Sequence, residues 1–381
     1  MKLDIPWRYV IFLSLWSFAC VVPVLIANGP NVCGVTFAEG ADRFWSGLNP
    51  YAAPLKGDLF QYSPFFAFAY RIFSSQGPLV HSMSWVFLNS FLFWVGVGSW
   101  QAIGQRLTPW GWAALILCAM ELDISLRYQQ TNPMVIGLIL LGIAAYRKER
   151  WAVSGAILAL VVNIKIFPVI LAGLLFIRPF RKSWALSFLL TSMGLCLLPC
   201  VVVGLRNGVW LHWEQYRSIR ADLPSRHLLD LYSLLQRWDF PVVASLSRAF
   251  IAGALLILFP WKWFTKGSAN FAWEEWLFFM MTSMLLLIPR VESPTFVWMA
   301  PAYLLLMNRS GKKTMSVIVL AGLLATFIYT SAWPKAFQLP IQEFWASKTI
   351  GALLLWMVCL KGLVAPSALS RRRVHREVSI S

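Results

Sequence analysis

Acidic side chains are scarce in this chain of 381 residues, which has 16 Asp and Glu residues against 33 Lys and Arg residues. In a soluble protein, the formal net charge of +17 would suggest nucleic-acid binding. The basic residues instead form short clusters between apolar runs, as in the cytoplasmic loops of membrane proteins. We therefore expect no nucleic-acid partner.

Sequence motifs for metal, nucleotide and disulfide chemistry are missing. The four His residues have no metal-ligand spacing, and there is no Walker A loop that would support ATP-driven transport. Of the six cysteines, only Cys33 lies in a polar loop, so no disulfide framework is implied. We expect neither a metal nor another cofactor.

Apolar residues dominate what is present, at 59% of the chain with a mean hydropathy of +0.64. Apolar runs long enough to cross a bilayer recur along the sequence, without the alternation of a membrane β-barrel. We therefore predict an all-α polytopic membrane protein, with residues 1–381 in one integral membrane domain. The first run is longer than the about 7–15 residues of a signal-peptide core, so we expect an uncleaved span.

The basic clusters predict a multi-pass protein of the plasma (inner) membrane with both ends in the cytoplasm. Residues 28–63 and 205–240 would form two outer loops, and residues 366–381 a basic cytoplasmic tail. About twelve membrane-spanning helices fit this pattern. They are residues 9–27, 79–100, 110–126, 133–146, 151–163, 167–177, 184–204, 242–261, 276–288, 294–307, 314–332 and 345–364.

One segment leaves the number of spans open. The count above requires residues 60–73 to lie in the interface, or to dip into the membrane and return. In the alternative, residues 60–73 cross the membrane and residues 151–177 cross it only once. The first arrangement keeps every basic cluster on one side of the membrane.

Polar side chains that are costly inside a membrane fall on the predicted outer side or just below it. Their convergence on one face indicates a single cavity there. These residues are Glu39, Asp42, Asp58, Gln129, Asn132, Lys165, Arg290 and Glu292.

Glu39 and Asp42 are the candidates for a catalytic base. They are three residues apart in a predicted short helix that ends near Gly47, so they would share a face. A carboxylate there can take the proton of a hydroxyl nucleophile as the new bond forms. The alternative is a solvated loop helix in which Asp42 pairs with Arg43 or Lys56.

Lys165 has apolar residues on both sides and precedes a helix break at Pro168. Burying its ammonium group would cost about 2.5–3.5 kcal/mol, so a partner such as a lipid phosphate is expected. Snorkelling of the side chain to the outer interface is the alternative.

Other polar side chains are expected to hold the substrates. The turn RYQQTNP packs several groups that can bind sugar hydroxyls or phosphate, although ordinary loop polarity explains it equally well. Arg290 and Glu292 could also simply pair with each other. We expect phosphate contacts from Lys165, Arg127 and Arg290, and substrate contacts from Asp58, Tyr62, Gln130, Asn132 and Glu292.

Three stretches of the chain carry a family resemblance. The first stretch is similar to the motif A-x-x-x-L-x-x-G-x-x-P-Y and to a later motif Y-P-P; it reads ADRFWSGLNPY followed by QYSPFFAF. The stretch from RYQQTNP to NIKIFP places Gln130, Asn132, Gly155, Lys165 and Pro168 in the succession G-Q-x-N, A-G-x-x-L-x-L-A and K-x-x-P. IPRVESPTFVWMAPAYLLL is a weaker match to a late outer-loop motif. These motifs resemble those of polyprenol-phosphate-mannose-dependent mannosyltransferases, glycosyltransferase family 87 of the GT-C class.

The resemblance implies a GT-C-like fold and an inverting glycosyltransferase that faces the periplasm or cell exterior. The donor would be a sugar, expected to be mannose, on a polyprenyl monophosphate taken from the surrounding membrane lipids. Its phosphate would lie near Lys165. The acceptor would be a glycan or glycolipid, with its hydroxyl deprotonated by Asp42 or Glu39.

Two departures from the family pattern leave other functions open. The family usually has an Asp about fourteen residues before the glycine, and Cys33 stands at that position here. The late loop lacks the histidines that are usual in the family, and Pro294 and Thr295 lie near their positions. A transporter or flippase for a lipid-linked sugar would use the same cavity without bond cleavage, and a non-catalytic assembly partner is the third possibility.

Overall fold

The computed structural model of the protein describes residues 7–55, 58–101, 109–166, 168–169, 181–221, 231–266, 273–287, 293–303, 312–324 and 341–364. All regular structure in these residues is helical, which confirms the predicted all-α class. The chain divides into two compact units, one of residues 1–108, 119–226 and 293–297, the other of residues 109–118, 227–292 and 298–381. Every candidate site residue that is described lies in the first unit.

The first unit is built mainly from the N-terminal half of the chain. Its helices are α1 (Trp7–Asn28), α2 (Val32–Trp45), α3 (Pro64–Ser74), α4 (Pro78–Gln101), α5 (Pro109–Arg127), α6 (Asn132–Arg147), α7 (Trp151–Ile164), α8 (Lys182–Leu197), α9 (Cys200–Val203) and α10 (Leu205–Ala221). Residues 109–118 of α5 belong to the second unit.

Local sequence signals explain where two short helices, α2 and α3, begin and end. At α3, the Ser63 hydroxyl accepts a hydrogen bond from the Phe66 amide at 3.1 Å, and Pro64 occupies the first turn, where no amide donor is needed. α2 ends two residues before Gly47, which adopts a positive φ of 74°. The short outer helix expected from the sequence is therefore present.

Close helix crossings hold the first unit together. α6 packs between α4 and α7, and α7 packs in turn against α8. At the first crossing, a side chain on Gly137 would overlap the backbone of Leu92, and one on Gly96 would overlap Gly137. Small residues at such points allow two helix backbones to approach closely, as in other membrane proteins.

An aromatic cluster centred on Phe37 attaches α2 to α3 and α4. The Phe37 ring contacts Tyr62, Phe66, Tyr70 and Trp85 edge to face, at centroid distances of 4.8, 5.1, 5.5 and 6.1 Å. Such pairs add about 0.5–1.5 kcal/mol each beyond the burial of their area. Phe37 is only 2% exposed, so this side of α2 is held firmly against its neighbours.

The second unit contains the remaining described helices. These are α11 (Leu231–Arg237), α12 (Pro241–Lys266), α13 (Trp273–Leu287), α14 (Lys312–Gly322) and α15 (Ile341–Val364). A 3₁₀ helix covers Ser293–Met299, of which residues 293–297 belong to the first unit. α13 and α15 pack together, and the Trp356 indole donates a hydrogen bond to the Ser283 hydroxyl at 2.8 Å.

Four of the described helices are long and apolar enough to cross a membrane: Trp7–Asn28, Pro78–Ser99, Lys182–Val203 and Pro241–Leu258. Asn132–Arg147 and Trp151–Ile164 are shorter apolar helices. These helices give the chain the character of a polytopic membrane protein, while the count of about twelve spans stays a prediction. α3 has 11 residues, fewer than the about 20 of a full span, which favours the arrangement in which residues 60–73 do not cross.

Gly137→Leu should destabilise the protein, because the new side chain would meet backbone atoms of α4 that cannot move aside. We expect a loss of about 1–3 kcal/mol, the usual cost of overpacking, measured as a lower thermal unfolding temperature of the detergent-purified protein. Gly194→Ala is the matched control, since nothing lies within 4 Å of the added methyl group. Equal unfolding temperatures for wild type and Gly137→Leu would contradict the close α4–α6 crossing.

Candidate functional site

Lys165 belongs to a polar network in the first unit. It follows the last residue of α7 with an extended backbone (φ −141°, ψ 124°), and its Nζ donates a hydrogen bond to Asn132 Oδ1 at 2.7 Å. Asn132 is the first residue of α6 and is 0% exposed. The expected turn is therefore present, and the ammonium group is bonded to a buried amide.

Two neighbours of Asn132 in sequence extend this network to α2 and to the loop before α3. Gln130 donates from Nε2 to Cys33 Sγ at 3.1 Å and accepts at Oε1 from the Tyr62 hydroxyl at 3.4 Å. Thr131 donates to the same Tyr62 oxygen at 3.3 Å. Asn132, Gln130 and Tyr62, all predicted substrate contacts, are thus brought together near Lys165.

The turn that carries these residues is positioned by Trp85 and Gly34. Gln129 adopts a positive φ of 55°, and its carbonyl accepts a hydrogen bond from the Trp85 indole at 2.9 Å. The buried Gln129 side chain lies so close to Gly34 that a Cβ atom on Gly34 would overlap it. Glycine at position 34 leaves room for the end of the Gln129 side chain, which would otherwise have to move.

The backbone around Tyr62 is held by two further hydrogen bonds. Ser63 donates its hydroxyl to the Asn163 carbonyl of α7, and the Tyr51 hydroxyl donates to the Tyr62 carbonyl at 2.8 Å. Burial raises the pKa of Tyr51 well above its usual value, so its hydroxyl remains a donor. These bonds fix the Tyr62 ring beside Gln130.

Glu39 and Asp42, the predicted catalytic carboxylates, do not point in the same direction from α2 as Cys33 does. Cys33 and Phe37 face the network and the aromatic cluster. Asp42 follows Cys33 by nine residues, about two and a half turns, so it points the opposite way. Glu39 projects about 120° from Cys33. Glu39 and Asp42 therefore share a face of α2, as their spacing predicted, and this face differs from the one that carries Cys33.

Glu39 lies on the flank of α2, beside the loop that leads to the network. Its Oε1 accepts a hydrogen bond from the Leu55 amide at 2.8 Å and forms an ion pair with Arg43 at 2.9 Å. The Glu39 side chain is 16% exposed. Along the same flank, the Asp58 amide donates to Thr36 Oγ1 at 2.8 Å. The loop of Asp58 continues directly to Tyr62.

Asp42 connects α2 to the end of α3. Its Oδ1 accepts hydrogen bonds from the Arg71 guanidinium at 2.5 Å and from the Ser74 hydroxyl at 3.0 Å. The side chains of Arg71 and Asp42 are 45% and 53% exposed. Arg43, considered as a partner of Asp42 from the sequence, pairs with Glu39 instead. These contacts link α2 to α3, and the catalytic role of Asp42 stays a prediction.

The predicted phosphate contacts other than Lys165 have different surroundings. Arg127 Nε forms an ion pair with Asp123 Oδ2, one turn earlier in α5, at 2.8 Å. Arg290 and Glu292 lie outside the described residues. Their roles stay predictions.

A cavity of about 820 Å³ opens on the side of α2 that carries Glu39 and Asp42. Its wall is formed by α2, the loop that follows it, the end of α3 and the start of α4. His81 of α4 also lines it. The spacing of the four His residues excluded a metal site, and no role was predicted for His81, although a histidine near the start of a predicted span was a signal for a polar site.

The comparisons with known proteins agree with the motifs found in the sequence. The model of glycosyltransferase family 87 matches residues 60–289, more than half of the chain. This range includes the network around Lys165 and excludes α2. The search of curated proteins found no match.

Asn132→Leu should destabilise the protein by about 1–3 kcal/mol, because it removes the amide oxygen that accepts from the Lys165 ammonium. Adding Lys165→Met to this variant should recover part of the lost stability, because it removes the ammonium charge whose acceptor was deleted. The double-mutant cycle, measured by thermal unfolding in detergent, should give a coupling of about 0.5–3 kcal/mol. Strictly additive effects would show that the two side chains do not depend on each other.

Proposed function

Because the chain belongs to glycosyltransferase family 87, we propose that it transfers a sugar, with mannose the expected one, from a polyprenyl-phosphate donor to an acceptor hydroxyl at the outer membrane face. The observation that carries this proposal is the Lys165 ammonium, held at a helix end by the Asn132 amide. A membrane protein places a cation in such a position when a charged ligand is to be bound.

The donor phosphate binds at Lys165. The negatively charged phosphate replaces the amide oxygen of Asn132 as the partner of the Lys165 ammonium group. The ammonium group then stabilises the phosphate as it leaves the sugar. Gln130 and Tyr62, which already contact each other, offer an amide and a phenol hydroxyl to the sugar. Arg290 is a second phosphate contact in this proposal, whereas the ion pair with Asp123 leaves Arg127 less suited to the role.

Glu39 is the proposed base, and Asp58 a contact to the substrate. The acceptor oxygen attacks the anomeric carbon as the bond from that carbon to the phosphate oxygen breaks. The bonding electrons leave with the lipid phosphate, and the acceptor proton passes to Glu39. Both carboxylates already have partners in the protein. Glu39 is favoured over Asp42 because it lies about 120° from Cys33 around α2, whereas Asp42 points in the opposite direction from Cys33.

Reconstituted vesicles test the activity directly. The protein is supplied with polyprenyl-phosphate mannose labelled in the sugar, and with native membrane glycolipids as acceptors. The label should enter the glycolipid fraction, with an equal amount of free polyprenyl phosphate formed. Movement of intact donor across the bilayer without any transfer would favour the transporter alternative.

Glu39→Gln should lower kcat by about 10²–10⁴-fold, the usual contribution of a general base. Asp42→Asn is the matched control on the same helix and should change kcat by less than about tenfold, or about 1.4 kcal/mol. Both variants are compared at saturating donor and acceptor. The reverse order of effects would assign the base to Asp42.

Cys33→Ser should retain the wild-type kcat within about tenfold. The serine hydroxyl can accept the hydrogen bond that Gln130 now donates to sulfur, and the thiol is not the base in this mechanism. Loss of transfer with normal folding, measured by the same vesicle assay and by thermal unfolding, would instead assign a chemical role to the thiol.

A further inference from the structure

α10 (Leu205–Ala221) has one face packed on the protein and an opposite face that is exposed. Gly208, Leu211, Gln215 and Ser218 recur at helical spacing on the buried face. The opposite side carries aromatic and basic side chains in alternation: Arg206, Trp210, Trp213, Tyr216, Arg217 and Arg220. A face with this mixture suits neither bulk water nor the apolar interior of a bilayer.

The contacts of α10 place its start at the end of a candidate membrane span. α8 and α9 together form the candidate span Lys182–Val203, and the chain turns at Gly204, which has a positive φ of 80°. Gly208 then packs on Cys200, where an added Cβ atom would overlap the sulfur. Because α10 begins within two residues of the end of this span, we expect it at the boundary between bilayer and water.

The buried face of α10 binds the loop that leads to Tyr62. The Ser218 hydroxyl donates a hydrogen bond to the Phe60 carbonyl at 2.9 Å, and the Gln215 amide donates to the Gln61 carbonyl at 3.4 Å. These two carbonyls directly precede Tyr62 in the chain. Any contact that holds α10 in place therefore also holds this loop.

The charges of α10 are divided between its two sides. Glu214 is the single acid of the helix, and its side chain is only 13% exposed. It accepts a hydrogen bond from the Asn49 amide at 3.2 Å and pairs with Arg217 at 2.9 Å. Arg206 and Arg220 are exposed, and the Arg220 guanidinium lies over the Tyr216 ring at 5.7 Å. The exposed face therefore carries an excess of positive charge, which attracts anionic lipid headgroups.

We propose that the exposed face of α10 is a binding surface for anionic phospholipids of the surrounding bilayer. Its aromatic rings lie at the level of the headgroups, where such rings are enriched in membrane proteins. The guanidinium groups of Arg206 and Arg220 bind lipid phosphates. The two arginines are about 21 Å apart along the helix axis, so they contact different lipid molecules. None of these side chains has a role in the proposed glycosyl transfer, so the two proposals stand separately.

Hydrogen–deuterium exchange measured by mass spectrometry tests this surface without any donor or acceptor. The protein is compared in nanodiscs of phosphatidylcholine alone and of phosphatidylcholine mixed with phosphatidylglycerol. Amides of residues 205–221 and 58–63 should exchange at least about fivefold more slowly with phosphatidylglycerol, because bound lipid opposes local opening of α10. Residues 132–147 of α6 serve as the internal reference and should not respond.

Arg206→Gln combined with Arg220→Gln removes two exposed charges and leaves the Arg217–Glu214 pair in place. The effect of phosphatidylglycerol on residues 205–221 should then fall below about twofold. The matched control combines Arg181→Gln with Lys182→Gln, two exposed cations at the other end of the same candidate span, and should keep the full effect. Thermal unfolding in phosphatidylcholine nanodiscs shows whether each variant is folded.

Equal exchange of α10 in the two kinds of nanodisc would overturn the proposal, and it is the result expected if this face is reserved for a protein partner. Full protection by phosphatidylglycerol in the folded double-glutamine variant would also overturn it. Arg206→Lys with Arg220→Lys keeps both charges and should retain most of the protection. If the double-glutamine variant does not fold, the wild-type and double-lysine results still decide the question.

Discussion

The rotation of α2 about its own axis determines which of its side chains can take part in chemistry. Phe37 fixes this rotation through its contacts with Tyr62, Phe66 and Trp85. Cys33, one turn earlier, is thereby directed to Gln130, whereas Asp42 is directed to α3. A helix free to turn by one residue, about 100°, would exchange these surroundings. Aromatic packing in the first unit therefore sets the polar arrangement around it.

Lys165 shows how the membrane environment and the fold constrain each other. α7 ends at Ile164, so the lysine leaves the helix with an extended backbone and its ammonium group reaches the first residue of α6. An amide oxygen is a weaker partner for a cation than an anion is. In the proposed mechanism, this pair holds the charge until a phosphate replaces the amide oxygen.

Patterns along the chain predicted the all-α class, the short outer helix and the turn at Lys165, because each depends on neighbours in sequence. The association of Lys165 with Asn132 and Gln130 was also expected, since these residues lie in one continuous motif. The shared face of Glu39 and Asp42 was predicted from their spacing, but the direction in which this face points could not be predicted. It depends on contacts of Phe37 with Trp85, 48 positions later in the chain, and on the choice of Arg71 as the partner of Asp42.

Cys33 stands at the position where the motif resemblance leads us to expect an acid, and its surroundings indicate what an exchange there would do. An acid at that point would face Gln130 and the proposed donor site directly. The proposed base, Glu39, lies about 120° further round α2, beside the cavity that His81 lines. The acceptor must then approach from the cavity side, while the donor keeps its place at Lys165. On this assignment, the substitution alters the direction of acceptor entry and leaves the phosphate site unchanged. The acceptor side of the site, more than the donor side, would then distinguish this chain within its family.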